Sequence, residues 1–233
     1  MIVVGNKPLC LIPARGGSKR LPRKNIALLG GRPLLAWTLE TARESGIFDD
    51  LWVSSEEDEI LKVAENWGGR PLLRNPGLAE DGVTVVELCL SVIWQFALQG
   101  LNYSALYVLL PTSPFRRSET IHRAWRAFLE SDADALLSVV PLEHPPQWAL
   151  MKTEGWLKPV FPETYEFSRQ TLAQTYRHDG GHAIARIEKF LQTRSFLNSR
   201  TLAFPIATEE AMDINEPEDL AQAEYLLGKR QEG

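Results

Sequence analysis

The sequence has two cysteines, Cys10 and Cys89, and each sits alone inside an apolar run. That excludes a disulfide framework and any zinc site built on paired cysteines. Both are expected to be buried, reduced packing residues. No apolar run reaches the roughly 20 residues needed to cross a bilayer. The opening Met-Ile-Val-Val-Gly-Asn-Lys-Pro lacks the layout of a secretory leader. A cytoplasmic protein that does not engage membrane is therefore expected. Both common nucleotide-binding glycine patterns are missing as well. There is no Gly-x-Gly-x-x-Gly, and no Walker run, because Ser18 precedes Lys19 instead of following it. Excess positive charge is lacking too. Lys plus Arg is 25 and Asp plus Glu is 30, a net charge of −5, which counts against a general nucleic-acid coat.

What remains is the composition of a folded protein. Over 233 residues, 44% are hydrophobic and 24% charged, enough to build a sizeable core and too apolar for disorder. The length fits one large α/β domain, or one domain with an added arm. Apolar runs at 9–14, 51–55, 70–73, 105–110 and 135–140 read as strands. Helical spacing predicts helices over 33–45, 57–67, 84–98 and 119–130, the last capped by Ser118. Strands alternating with helices imply crossovers and a mostly parallel sheet covered on both faces. The alternation breaks over 141–178, which holds prolines at 141, 145, 146, 159 and 162 together with Trp148, Trp156 and Tyr165. Exposed aromatics on such an arm suit a partner surface, and a packed insertion on the same monomer is the alternative. Strands near 181–186 and 201–206 and a helix from Pro217 close the chain.

The most informative stretch is 12–25, Ile-Pro-Ala-Arg-Gly-Gly-Ser-Lys-Arg-Leu-Pro-Arg-Lys-Asn. Arg15, Lys19, Arg20, Arg23 and Lys24 are basic, and no acid interrupts them. Gly16 and Gly17 let backbone N–H groups come close to a ligand, and Ser18 adds a hydroxyl. In a parallel sheet, ligands bind at the loops that follow the carboxyl ends of strands. Glycines, amides and fixed cations together suit a polyphosphate. A solvated basic loop is the ordinary alternative, but five cations without nearby counter-charges repel one another.

Pro13-Ala14-Arg15-Gly16-Gly17-Ser18-Lys19, followed by Lys24-Asn25, resembles the opening signature of the acylneuraminate cytidylyltransferases, the CMP-sialic acid synthetases. Similar segments follow in order: Leu73-Arg74-Asn75-Pro76, Pro111-Thr112-Ser113-Pro114-Phe115-Arg116, Arg169-Gln170, Arg177-His178-Asp179-Gly180 and Met212-Asp213-Ile214-Asn215. The similarity runs from about residue 8 to 228. The resemblance implies a Rossmann-like nucleotidyltransferase that dimerises through an arm, here placed at about 141–178. It implies a reaction in which CTP and a nine-carbon α-keto acid sugar give a CMP-sugar and pyrophosphate. Such chemistry needs positioning and charge neutralisation and no covalent enzyme intermediate.

On that resemblance, Arg15, Ser18, Lys19 and the Gly16 and Gly17 backbone are candidates for the triphosphate, with Lys24 adding phosphate charge stabilisation and Asn25 helping to hold the nucleotide. Arg15, Lys19, Lys24 and Asp213 form the expected catalytic set. Arg74 would contact base or ribose. Thr84 could contact the ribose or simply start a helix. Thr112 and Ser113 could contact nucleotide or only make the turn between two prolines. Arg169, Gln170, Arg177 and Asp179 are sugar-side candidates, since a guanidinium meets a carboxylate with two hydrogen bonds. Asp179 stands where the family usually has Asn. Asp213 and Asn215, two apart in an extended segment, point the same way and could reach one Mg²⁺. Asn215 replaces the second Asp of many relatives, and it could instead cap the helix that begins at Pro217. The base that takes the anomeric proton is not visible. His178 and His182, inside the sugar-side motif, are better candidates than His122 or His144.

Leu110 stands where many relatives carry Gln before Pro-Thr-Ser-Pro. An apolar contact there suits a less polar sugar such as legionaminate or pseudaminate, both 9-deoxy, although Leu110 could merely continue the apolar strand. The Kdo enzyme has a similar opening motif, but Lys24-Asn25 and Arg169-Gln170 favour the nonulosonate branch. A GTP- or UTP-type enzyme would have Gly-Gly where this chain has Ala-Arg. Asn215 and Asp179 keep open a nucleotide-binding protein without catalysis. RNA binding through 15–25 fits the cations but not the net charge or the lack of interleaved aromatics.

Overall fold

The structure is a computed structural model that describes residues 7–232; residues 1–6, which carry most of the leader reading, lie outside the described residues. In chain order the elements are β1 (Leu9–Pro13), β2 (Leu28–Leu29), β3 (Arg32–Pro33), α1 (Leu34–Glu44), β4 (Leu51–Ser55), α2 (Asp58–Asn66), β5 (Arg70–Leu73), α3 (Val85–Leu98), β6 (Ala105–Val108), α4 (Ser118–Glu130), β7 (Ala135–Pro141), β8 (Leu150–Thr153), β9 (Trp156–Pro159), β10 (Tyr176–Arg186), α5 (Ile187–Thr193), β11 (Thr201–Pro205) and α6 (Pro217–Glu232).

Seven strands form one sheet in the order β11-β7-β10-β6-β1-β4-β5. All run parallel except β10, which is antiparallel to both β6 and β7. Alternation along the buried strands builds two cores. Cys10, Ile12, Tyr107 and Ile184 face α1, α2 and α4. Leu9, Leu11, Leu106, Val108 and Ala185 face α3 and α5. A period of two separates the faces, and each large side chain so buried contributes roughly 1.5–3 kcal/mol. Both cysteines are free and buried, and burial pushes both thiols well up, as inert packing residues require. Among the described residues no helix is long and apolar enough to cross a membrane.

Besides adding the β2–β3 pair and helix α5, the structure differs from the pattern reading in four places. Ser118 is the first residue of α4, not its cap; Arg117 holds the cap position without a side-chain bond, and its amide is taken instead by the Glu210 carboxylate at 3.2 Å. The 105–110 run leaves the sheet after Val108, so Leu109 and Leu110 lead into the next loop. The 141–178 stretch is less irregular than its prolines suggest, for it contains the β8–β9 hairpin. Finally, β10 starts at Tyr176 rather than 181, with a register shift against β7 between His178 and Ala183.

That shift is held by a buried polar cluster. Gly180 sits at φ +82°. The Asp179 carboxylate accepts the Gly181 amide at 2.9 Å and the Ser138 hydroxyl, and Ser138 Oγ in turn accepts the His182 amide at 2.8 Å. Tyr107 Oη lies 2.8 Å from His182 Nδ1. Arg116, fully buried, donates to the carbonyls of Gly181 (3.0 Å) and Leu110 (2.9 Å) and to Thr38 Oγ1 (3.2 Å). Burial pulls its pKa down to about 10, with Tyr107 and Asp179 opposing the fall, so it stays charged at neutral pH. The cluster thereby ties the bulge of β10 to the loop after β6.

His182 gives this cluster a pH signature. Burial first, and then the nearby Arg116 cation, hold its imidazole well below the ordinary value. An unfolded chain protonates the same group near pH 6.5. Below that pH the unfolded state binds the extra proton, so stability falls as pH falls, by about 1.4 kcal/mol per pH unit until the folded group also titrates. Urea unfolding between pH 7 and 5 should show a slope in the wild type that His182→Asn lacks; equal slopes would remove His182 as its source.

Candidate active site

A cleft of about 420 Å³ opens at the carboxyl ends of β1, β5 and β6. Its walls come from separate loops. Arg15, Lys24 and Asn25 follow β1, Arg74 follows β5, Leu78 to Val85 lead into α3, Leu110 to Thr112 follow β6, and Asp213 and Asn215 precede α6. The site is thus assembled where parallel strands end, as the topology of an open sheet requires.

The loop after β1 turns at Arg23, whose left-handed conformation (φ 55°) costs a non-glycine residue about 1–3 kcal/mol. The turn is held by ion pairs from Arg23 to Glu57 (3.1 Å) and Glu59 (2.6 Å). It sends Lys24 and Asn25 back into the cleft. Asn25 is buried and donates to the Arg15 carbonyl at 2.7 Å, so its amide braces the loop. Gly16 donates its N–H to Glu56 Oε1 at 2.7 Å, and a Cβ there would fall 1.6 Å from a Glu57 carboxylate oxygen. Its amide is therefore engaged. Gly17 faces open space, where a Cβ would meet nothing within 4 Å. Ser18 is half-buried, and its amide bonds back to the Gly16 carbonyl at 2.8 Å.

The basic run lacks counter-charges only along the sequence. Asp81 bonds Lys19 and, at 3.4 Å, Arg15; Glu216 pairs with Arg20 at 2.9 Å. The Lys19 hydrogen bond and charge, aided by Arg15, hold the Asp81 carboxyl below its usual value. Lys24 instead donates to Asn215 Oδ1 at 2.9 Å. Burial pulls its ammonium below the ordinary value, Asp213 opposes that, and Arg20 and Arg15 add to it.

Asn215 donates through Nδ2 to Asp213 Oδ2 at 2.7 Å, giving a chain Lys24–Asn215–Asp213 on one wall. The helix cap offered as the alternative role of the Asn215 side chain is not made. Asp219 accepts the amides of Asn215 (2.8 Å) and Glu216 (2.9 Å), which leaves the Asn215 side chain to the cleft. Ile214, buried between the two, donates its amide to the Thr112 carbonyl at 2.9 Å and locks this segment to the loop after β6. Among the described residues no three His, Cys, Asp or Glu side chains converge on a metal-sized point. One carboxylate and one amide oxygen fit a hard cation only when phosphate and water oxygens complete its shell.

Of the other sequence candidates, Thr84 makes a full capping box with Glu87 at the start of α3 while lining the cleft. Ser113 is buried with its hydroxyl unpartnered. Asp179 lies in the buried cluster and does not line the cleft, and His182 is sealed beside Tyr107. Arg169 and Gln170 are exposed on a short turn between β9 and β10, and Arg177 is exposed on β10. None of these three lines the cleft of this chain. Sequence reasoning missed Glu56 and Asp81, and named Arg116 only as the end of the 111–116 segment, without a role. Glu56 carried a signal, since it directly follows a parallel strand; an acid in a Gly-rich loop, like Asp81, carried none.

A family model described as "Cytidylyltransferase" matches residues 9–213. The CMP-N,N'-diacetyllegionaminic acid synthase of Legionella pneumophila is 32% identical over 229 residues, 96% of this chain and 97% of that protein. The pseudaminic acid cytidylyltransferase of Campylobacter jejuni is 31% identical over 222 residues, 94% of this chain and 96% of its own length. The fold is that of a CMP:2-keto-3-deoxy-manno-octonic acid synthetase structure, with a TM-score of 0.73 at 15% identity, covering 96% of this chain and 99% of that one.

The Asp81 contacts generate a test. Its carboxylate holds two cations that an incoming anion would need, through exposed ion pairs that water screens and weakens. Asp81→Asn should bind inorganic tripolyphosphate a few-fold more tightly by calorimetry, and unchanged or weaker binding would show that the carboxylate does not compete for that place.

Proposed function

The chain belongs to the cytidylyltransferase family, and on that premise we propose that it transfers CMP from CTP to a nine-carbon α-keto acid sugar, N-acylneuraminate or a related nonulosonate. One observation carries the reading furthest. Arg15, Lys24, Arg74, Asp213 and Asn215 all line a single cleft, which supplies cations for a triphosphate and a donor for a base in one place. The sugar's anomeric hydroxyl attacks the α-phosphorus and releases its proton to water, the bond to the bridging oxygen breaks, and pyrophosphate leaves. The protein's part is to align the two reactants and offset phosphate charge. Arg15, Lys19 and the Gly17 amide suit the leaving phosphates, and Lys24 suits the charge that builds at the reacting phosphorus.

Mg²⁺ is the expected metal, and when bound it offsets triphosphate charge. Asp213 would hold it, and Asn215 could add its amide oxygen if Lys24 moved to phosphate. Leu110 on the cleft wall supports a sugar with an apolar substituent, which favours 9-deoxy acids of the legionaminate or pseudaminate kind. The names of the relatives that align over nearly their whole length agree with that choice. The arm supports a homodimer. Leu150, Met151, Trp156, Leu157, Phe161 and Phe167 are all exposed on it, and a stable interface needs such an apolar centre. Use of CTP fits a cytoplasmic enzyme.

The lone carboxylate of the Asp213–Asn215 pair favours one second reading, a nucleotide-binding protein without turnover. Incubation with CTP and a panel of nine-carbon acids, with and without Mg²⁺, separates the two. We expect Mg²⁺-dependent pyrophosphate release, greatest with a 9-deoxy acid. CTP binding without pyrophosphate from any sugar would contradict the transferase and leave the second reading.

A further inference from the structure

Glu56 is the first residue after β4, and β4 lies between β1 and β5 in the sheet. Its carboxylate reaches both ways. Oε1 accepts the Gly16 amide of the loop after β1 at 2.7 Å. Oε2 accepts Arg74 Nε at 3.0 Å and Nη2 at 2.7 Å. The Arg74 side chain is 5% exposed and that of Glu56 14%, so these charge-assisted bonds are poorly screened and correspondingly strong. Two donors of one rigid guanidinium fixed on one oxygen set its plane. The Nη1 donors stay clear of Glu56, and Arg74 lines the cleft. Burial works against charge on Glu56, but the Gly16 amide and Arg74 outweigh it and keep the carboxyl below its usual value.

The consequence for a nucleotide follows from base chemistry. Cytosine offers adjacent acceptors at O2 and N3, which suit guanidinium donors, whereas uracil carries a donor at N3. We propose that Glu56 is a positioning residue for nucleotide selection: it sets the Arg74 guanidinium for the base while pinning the Gly16 end of the phosphate loop, so that base identity and triphosphate position are registered by one side chain. The inference rests on the CTP reading above.

The substitution Glu56→Gln tests it. One oxygen becomes an NH₂ group that cannot accept, so either the Gly16 or the Arg74 contact is lost. Binding of CTP and UTP is measured by calorimetry, with CTP turnover alongside. We expect the CTP-over-UTP preference to fall about tenfold, the size of one charge-assisted bond. Glu56→Asp, which keeps the charge, should retain more of the preference than Gln and serves if the Gln variant folds poorly. Arg74→Met should lose the preference, and adding Glu56→Gln to it should lower discrimination no further. Glu65→Gln, an exposed acid near the end of α2 and away from the cleft, should keep it. General loosening would weaken both nucleotides alike and leave the ratio untouched. A CTP-selective wild type whose Gln and Asp variants are equally selective overturns the inference alone. A wild type that does not prefer CTP overturns the reading and the inference together.

Discussion

Five cations packed into the loop after β1 repel one another, and the rest of the site is arranged around that repulsion. Asp81, Glu216, Glu57 and Glu59 come from three other parts of the chain to meet Arg15, Lys19, Arg20 and Arg23. Exposed pairs of this kind are weak, because water screens them and two long side chains must be ordered to make each one. They hold the loop shut loosely. On the proposed reading, a triphosphate, with several oxygens and more charge than any one carboxylate, would replace Asp81 at little cost. Lys24 is different. It is half-buried and bonded to a neutral amide oxygen, with the Asp213 carboxylate the leading charge that favours its ammonium form. Among the described residues it is the cation of the loop without a direct ion pair.

Support for this weakly paired loop lies beneath it. Glu56 ties it to β5 through Arg74, Asn25 ties its start to its end, and Ile214 ties the Asp213 segment to the loop after β6. Farther in, the buried Arg116 fixes the Leu110 carbonyl to the bulge of β10 and to α1. A rigid floor under a loosely closed mouth is what a positioning enzyme requires, since misplacement by an ångström can cost roughly a hundredfold in rate.

Much of this was legible in the residues. Apolar runs located the principal strands, most plainly β1 and β6, which are buried on both faces, and the cationic loop stood out because nothing adjacent in the sequence neutralises it. The Met212–Asn215 segment and Arg74 were found by resemblance, and Asp213, Asn215 and Arg74 line the cleft. The illegible parts share a cause: they depend on contacts between distant residues. Nothing adjacent to Asp179 says that Ser138 and the Gly181 amide will take its carboxylate. Nothing near Asp81 announces Lys19. Helix α5 was missed because seven residues give too short a period to read. Nor does the position of Asn215 before Pro217 reveal that Asp219 will take the capping amides and free it for Lys24.

On the reading proposed here, the loop from Arg15 to Lys24 grips the triphosphate of CTP. A crystal structure with a non-hydrolysable CTP analogue tests it most directly. The account predicts phosphate density against Arg15, Lys19, the Gly17 amide and Lys24, with Asp81 displaced and the base beside Arg74. Nucleotide density elsewhere on the molecule, with the Asp81 pairs intact, would contradict it.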